Sequence, residues 1–218
     1  MRSVSGKRQK AVVIFGGTFD PVHYGHLRTA LEVRNFLAVQ EIKFLPAGSP
    51  PHRRNEVSDP HHRLAMLQLA LAGLEGFSID QREIQRRGLS FMVDTLTDIR
   101  SEGSNNPVIL VLGHDSASSL GSWHRWLQIF SLAHLLVISR PGEQQDFSPQ
   151  LDAEMSKRQV LDCQQLFEAP SGLVLNLQVT GLSISSRNIR RLMKNGGSAQ
   201  FLLPDTVLGY LHEHRLYS

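Results

Sequence analysis

Short apolar runs alternate along this chain with longer stretches in which apolar residues recur every three or four positions. Residues 11–15 form an unbroken apolar run of strand length. Residues 24–39 carry Leu27, Ala30, Leu31, Arg34 and Leu37 at helical spacing. Residues 41–47 predict a second strand, followed by a loop rich in proline and polar groups. Ser58 or Asp59 is placed to cap the next helix, with Pro60 in its first turn. That helix would set Leu64, Leu67, Leu71 and Leu74 on one face. Residues 76–80 predict a short strand, and 91–101 a helix stopped near Gly103. Residues 107–113, "PVILVLG", are the most hydrophobic strand. Residues 123–130 predict a helix, and 133–140 a strand ended by Pro141-Gly142. Residues 149–167 are helical in propensity but weakly periodic. Residues 172–180 give a last strand, 185–195 a helix closed by Gly196-Gly197, and 204–216 a final helix.

Strands alternating with helices imply a parallel sheet covered on both faces. The expected fold class is therefore α/β, a Rossmann-like doubly wound sheet of order 3-2-1-4-5 plus a further strand. In such sheets a ligand lies beyond the carboxyl ends of the strands, where strand order reverses. That point falls between the first and fourth strands. The loops after Phe15 and after Leu112 should face each other there.

The chain has 218 residues, 41% of them hydrophobic, which is enough for one well-buried domain. We assign residues 1–10 to a flexible basic tail and 11–218 to that domain. The net charge is +3, yet Arg2, Lys7, Arg8 and Lys10 all lie in the tail with no acid among them. The basic excess belongs to the tail, and this weakens a nucleic-acid reading of the domain. Cys163 is the single cysteine, so no intramolecular disulfide or cysteine-rich zinc site can form. A reducing, cytoplasmic setting is expected. No apolar run reaches membrane-spanning length. The basic-then-apolar start mimics a signal peptide, but its apolar run stops at Phe15 and an Asp-Pro soon follows.

The chemistry concentrates where the first strand meets its helix, in "GGTFDPVHYGH", residues 16–26. Gly16 and Gly17 let a ligand approach the backbone. The helix start near Tyr24 offers free N–H groups and a partial positive charge, a setting for phosphate. His23 and His26 lie one turn apart, with Gly25 between them keeping the turn open. Zinc is an alternative ligand for the pair, but no glutamate follows His23 and no third ligand is obvious. The lysine-bearing P-loop and G-x-G-x-x-G patterns are absent. "SISSRNIRR", residues 183–191, is a second phosphate signal. Ser185 or Ser186 caps a helix there, and Arg190 lies four residues past Ser186 on the same face. An ordinary capped helix with solvated arginines is the alternative.

Taken whole, G-G-T-F-D-P-x-H-x-G-H resembles the signature loop of the H-x-G-H nucleotidylyltransferase superfamily. The serine–arginine segment is similar to its I-S-S-T-x-I-R signature, with Arg187 where threonine is common. "PAGSPPHRR", "REIQRRGLSFMVDTL" and "LGHDSASSLGSWHRW" resemble segments of the nicotinate-nucleotide adenylyltransferases. Arg53 stands for the family's lysine, and Phe91 and Met92 stand for its Tyr-Thr pair. "VISRPG" and the closing "YLHEHRLY" match as well, so the resemblance runs from about Val12 to Tyr217.

The resemblance implies AMP transfer from ATP to nicotinate mononucleotide, giving nicotinate adenine dinucleotide and pyrophosphate. It assigns catalysis to His23, His26 and Arg190, with His26 on the α-phosphate. It assigns ATP binding to Gly16, Gly17, Thr18, Phe19, Gly25, Gly113, Asp115, Ile184, Ser185 and Ser186. It assigns the acceptor to His52, Arg53, Met92, Thr95, Trp123 and Arg140. Trp123 would offer an aromatic face, or pack in the core as Trp126 is expected to do. Asp115 would meet a ribose hydroxyl or a magnesium-bound water, or cap the helix that follows it. Mg2+ would travel with ATP, and phosphates held by the histidines should favour the imidazolium. No protein-held metal, nucleic acid or membrane is expected. His61 and His62 read as solvated capping residues. The rivals are nicotinamide mononucleotide or phosphopantetheine adenylyl transfer, and a non-catalytic nucleic-acid binder using the tail.

Overall fold

A computed structural model describes residues 9–48, 57–103, 105–142 and 147–217. In chain order the elements are β1 (Val12–Gly17), α1 (Tyr24–Leu37), β2 (Ile42–Pro46), α2 (Pro60–Leu71), β3 (Phe77–Ile79), α3 (Arg82–Gln85) and α4 (Met92–Ser101). Then come β4 (Val108–Gly113), α5 (His114–Ser118), α6 (Trp126–Leu132), β5 (His134–Ser139), α7 (Pro149–Ser156), β6 (Gln159–Val160), β7 (Val174–Gln178), α8 (Ser186–Lys194) and α9 (Asp205–Glu213). The strands form one sheet of order β3-β2-β1-β4-β5-β7-β6, with every neighbouring pair parallel. The expected order 3-2-1-4-5 is present, and β7 is the further strand. β6 was not foreseen.

Strand alternation divides the interior in two. Val13, Phe15, Phe44, Ile109 and Val111 face one core with Ala30, Val33 and Leu37 of α1, Met66 and Leu67 of α2, Ile189 of α8 and Val207 of α9. Ile14, Leu45, Leu110 and Leu112 face the other, with Val93 and Leu96 of α4, Ile129 of α6 and Leu151 of α7. Two-sided burial explains why the strands read as continuous apolar runs rather than alternating ones. Phe15 pairs with Val111 in register, so β1 and β4 end together at the point where strand order reverses. The glycine–histidine loop and the Gly113–Asp115 turn both leave from that point.

Several expected elements differ. Residues 149–167 are three pieces. Helix α7 stops at Ser156, β6 pairs with Val174 and Leu175, and a 3-10 turn (Cys163–Phe167) follows, capped by the Asp162 side chain, which accepts from the Gln164 amide at 2.9 Å. The weak periodicity reflects that division. Helix α6 starts at Trp126, because Arg125 adopts a left-handed φ of 52° and Trp123 closes a 3-10 turn (Leu120–Ser122). Helix α2 takes the expected Asp59 cap but turns Arg63, Met66, Leu67, Ala70 and Leu71 inward. Leu74 lies past its end and is exposed. Gln9, just ahead of β1, bridges to Val39 and donates its amide to the Ala38 carbonyl at 3.2 Å. His62 is not a solvated cap: its Nδ1 lies 2.8 Å from the Tyr210 hydroxyl, and its ring packs on His214.

Candidate active site

Helix α1 begins at Tyr24, with His23 as its extended N-cap residue. The rings of His23 and His26 stack with centroids 3.8 Å apart. Gly25 makes this possible, because a Cβ there would lie 2.9 Å from two atoms of the His23 ring. Gly17 plays the same part for Phe19, whose ring a Cβ would meet at 2.9 Å. Phe19 was expected with the nucleotide residues, but its ring is buried. It packs edge-on under His26 at 5.1 Å and forms a floor beneath the imidazole pair.

The first turn of α1 offers fewer free amides than the sequence suggests. Tyr24 donates to the Leu202 carbonyl at 3.1 Å, and His26 and Leu27 donate to the His23 carbonyl. His26 Nδ1 accepts from the His23 amide at 3.3 Å, so in the neutral ring Nε2 carries the proton. Burial, then the Arg140 cation, push the His23 pKa down to about 4. His26 lies well below its ordinary value for the same leading reason, with His23 and Arg140 adding to it. The protein's own groups therefore hold both imidazoles neutral near pH 7 in the absence of bound phosphate. Only added phosphate charge would raise them.

The second phosphate signal meets the first directly. Arg190 Nη1 donates to the Asp20 carbonyl at 2.6 Å and lies 3.6 Å from its carboxylate. Ser186 Oγ donates to the Pro21 carbonyl at 2.9 Å. Ser185, not Ser186, is the N-cap of α8, accepting from the Asn188 amide at 3.2 Å. The Ile184 carbonyl lies 3.4 Å from where a Gly25 side chain would start. Two segments some 165 residues apart thus bring the imidazole pair, the start of α8 and the Arg190 guanidinium together. Such a donor set suits a chain of phosphates.

A cytidylyltransferase-like family model matches residues 14–192. A Methylococcus capsulatus protein named "Probable nicotinate-nucleotide adenylyltransferase" is 49% identical over 206 residues, covering 94% of this chain and 98% of its own. A Hahella chejuensis protein of the same name is 43% identical over 215 residues, covering 94% and 95%. The chain belongs to the nicotinate-nucleotide adenylyltransferase family. The fold agrees: a Plasmodium falciparum nicotinic acid mononucleotide adenylyltransferase complexed with NaAD superimposes with a TM-score of 0.72, at 16% identity, over 95% of this chain and 97% of that one.

The family-like segments that the structure describes follow the carboxyl ends of β3, β4 and β5. Gly113 is the N-cap of α5, and Asp115 is exposed in its first turn, so glycine takes the capping role considered for Asp115. Met92 starts α4, with its methyl carbon 3.4 Å from where a Gly16 side chain would begin. Trp123 is half-buried and donates from Nε1 to Ser119 Oγ at 3.3 Å. Beside it the His124 ring packs on Phe91 at 4.5 Å. Trp126 packs against the core and Phe130, as expected. Arg140 is exposed at the end of β5, its stem lying over Gly181, and its charge acts on His23 and His26. His52 and Arg53 lie outside the described residues.

The Thr95 side chain is engaged within the fold. It is fully buried, donates to Glu83 Oε1 at 2.7 Å and accepts from Arg86 Nη1 at 3.0 Å. It holds Glu83, whose carboxyl pKa burial pushes up. Two site-building residues escaped the sequence reading. Arg63 is buried on α2 beneath the glycine loop, and Tyr217 donates to Asp20 Oδ1 at 2.5 Å. A charged residue at a core position of an apolar helix face was the available signal for Arg63. Among the described residues, no group of three or more His, Cys, Asp or Glu could hold a metal ion. No helix there is long and apolar enough to cross a membrane.

Proposed function

We propose that this chain transfers AMP from ATP to nicotinate mononucleotide, releasing pyrophosphate and forming nicotinate adenine dinucleotide. The observation that carries the reading is the direct bonding of Arg190 and Ser186 to the Asp20–Pro21 backbone, which joins both phosphate signals at one site. An acceptor phosphate oxygen attacks the α-phosphorus in line, and the bond from that phosphorus to the bridging oxygen of the β-phosphate breaks. The phosphate monoester is already anionic at neutral pH, so no strong base and no covalent enzyme intermediate are needed. Positioning and charge stabilisation do the catalysis.

Within that scheme His26 donates its Nε2 proton in a hydrogen bond to an α-phosphate oxygen, and a neutral imidazole suffices. His23 stacks behind it and fixes the ring. The α8 amides, Arg190 and Arg140 take the departing pyrophosphate charge. Magnesium arrives with the triphosphate and is held by its oxygens and by water, because imidazoles, amides and guanidiniums suit phosphate rather than a hard cation. Phe91, Met92 and Trp123 receive the pyridine end of the acceptor, the start of α4 offering backbone amides to its carboxylate.

The test is pyrophosphate release from ATP and magnesium with nicotinate or nicotinamide mononucleotide as acceptor. The reading expects the nicotinate form to be used with the higher kcat/KM. Equal or reversed preference overturns the acceptor assignment, and no release with either overturns the activity.

A further inference from the structure

Arg63 is almost completely buried, at 1% exposure, among apolar residues of α2. Its guanidinium makes its hydrogen bonds to backbone carbonyls of three separate segments. Nη1 donates to Thr18 at 3.0 Å, Nη2 to Gly48 at 2.9 Å and Nε to Ser58 at 3.0 Å. A buried cation satisfied by neutral carbonyls is costly to keep, and methionine or leucine would fill the same helix face. What the arginine adds is a link between segments.

On one side the link runs toward the triphosphate. Thr18 belongs to the glycine loop. Ser58 donates its amide to Asp20 Oδ2 at 3.2 Å, and Asp20 in turn holds Arg190 and Tyr217. On the other side it runs toward the acceptor. Gly48 packs directly on Glu83, where a Cβ would lie only 2.0 Å from the Glu83 carbonyl. Ser90 Oγ donates to that carbonyl at 3.4 Å and Thr95 donates to the carboxylate, which ties Glu83 to the start of α4. From Arg190 to Met92 the connection is hydrogen bonds, sequence neighbours and the close Gly48–Glu83 contact.

We infer that Arg63 is a positioning residue that couples the two substrate sites, so that an occupied acceptor site raises affinity for the triphosphate and the reverse. This rests on the functional reading above for the identity of the two ligands. Tyr217 anchors the chain of bonds at Asp20 from the far end of the sequence. By linkage the two effects must be equal in size.

The experiment measures binding of an ATP analogue with a methylene bridge between the α- and β-phosphates, which cannot be transferred. Calorimetry on the full chain, with and without saturating nicotinate mononucleotide, gives the ratio of dissociation constants. We expect a ratio of about 5 or more for the parent chain. In Arg63→Lys, which keeps the charge but cannot reach three carbonyls, the ratio should fall to one while circular dichroism reports folded protein. A ratio of one in the parent, or an undiminished ratio in Arg63→Lys, overturns the inference. If Arg63→Lys does not fold, Tyr217→Phe takes its place with the same two outcomes, since it removes one hydroxyl from the same chain of bonds. Failure of the parent to bind nicotinate mononucleotide refutes the functional reading and takes the coupling with it. Independent binding of both ligands refutes the coupling alone.

Discussion

His23 and His26 lie one ring over the other, with planes 24° from parallel. Two imidazolium ions could not be stacked this way at low cost, and both rings are held neutral. The His23 pKa falls from 6.5 to about 4 on folding, chiefly through burial. The unfolded chain therefore binds the extra proton between those values. The stability this neutral ring contributes is complete above pH 6.5 and is lost as pH falls toward 4. The loss amounts to about 3 kcal/mol for His23 alone. Melting midpoints across pH 7.5 to 4.5 should fall in the parent and fall less steeply in His23→Asn. Equal slopes in the two proteins would remove the imidazole from the explanation. Binding of ATP should also take up protons near pH 6, read as a dependence of binding heat on the buffer's ionisation heat.

Gly25→Ala separates activity from stability. Residue 25 lies in α1, where alanine is the better helix former by about 0.5–1 kcal/mol. Its Cβ would nevertheless stand 2.9 Å from His23 Cε1 and Nδ1, and the ring would have to shift. We expect kcat to fall by about 10²-fold, the common cost of one misplaced preorganised donor. The melting midpoint should move by less than about 4 °C. Unchanged turnover in a folded variant would show that ring position is unimportant.

His26→Ala should leave the fold intact and lower kcat by about 10²–10³-fold, because the ring is only partly buried and supplies the donor proton. Single-turnover measurements with saturating substrates check this. Turnover like the parent's would exclude His26 from the chemistry.

Trp123→Ala tests the acceptor end. The indole is half-buried beside the Phe91–His124 ring pair and is anchored through Nε1. An aromatic contact is worth about 0.5–1.5 kcal/mol beyond area. The KM for nicotinate mononucleotide should therefore rise by up to roughly tenfold, and the KM for ATP should change less. A larger effect on ATP would reverse the assignment of the two ends.

What could be read from the sequence was local chemistry. The histidine pair, its glycine and the Ser185–Arg190 helix start each declare themselves within a dozen residues, and the structure joins them. Alternating apolar runs were enough to give the strand order through β5. Arg63 and Tyr217 stayed hidden because their partners are distant: Tyr217 reaches Asp20 across 197 residues, and Arg63 bonds carbonyls that no side-chain pattern reveals. The two-residue strand β6 has too little pattern to register, and its pairing with β7 is all that defines it. Phe19 and Thr95 both carry buried side chains, which the motif likeness did not reveal. Motif likeness marks a position, but it does not say whether the side chain faces the ligand or the core.

Thr95→Val makes that last distinction measurable. The substitution keeps shape and removes the hydroxyl that donates to Glu83 and accepts from Arg86. Glu83 is itself buried, and losing a donor raises the cost of its charge. We expect a stability loss of about 1–3 kcal/mol, read by denaturant unfolding. Glu83 has its carboxyl pKa raised by burial, and this loss should deepen as the medium becomes more alkaline and the acid ionises. If Thr95 instead touched the acceptor, stability would be nearly unchanged, and the nicotinate mononucleotide KM would carry the effect at every pH.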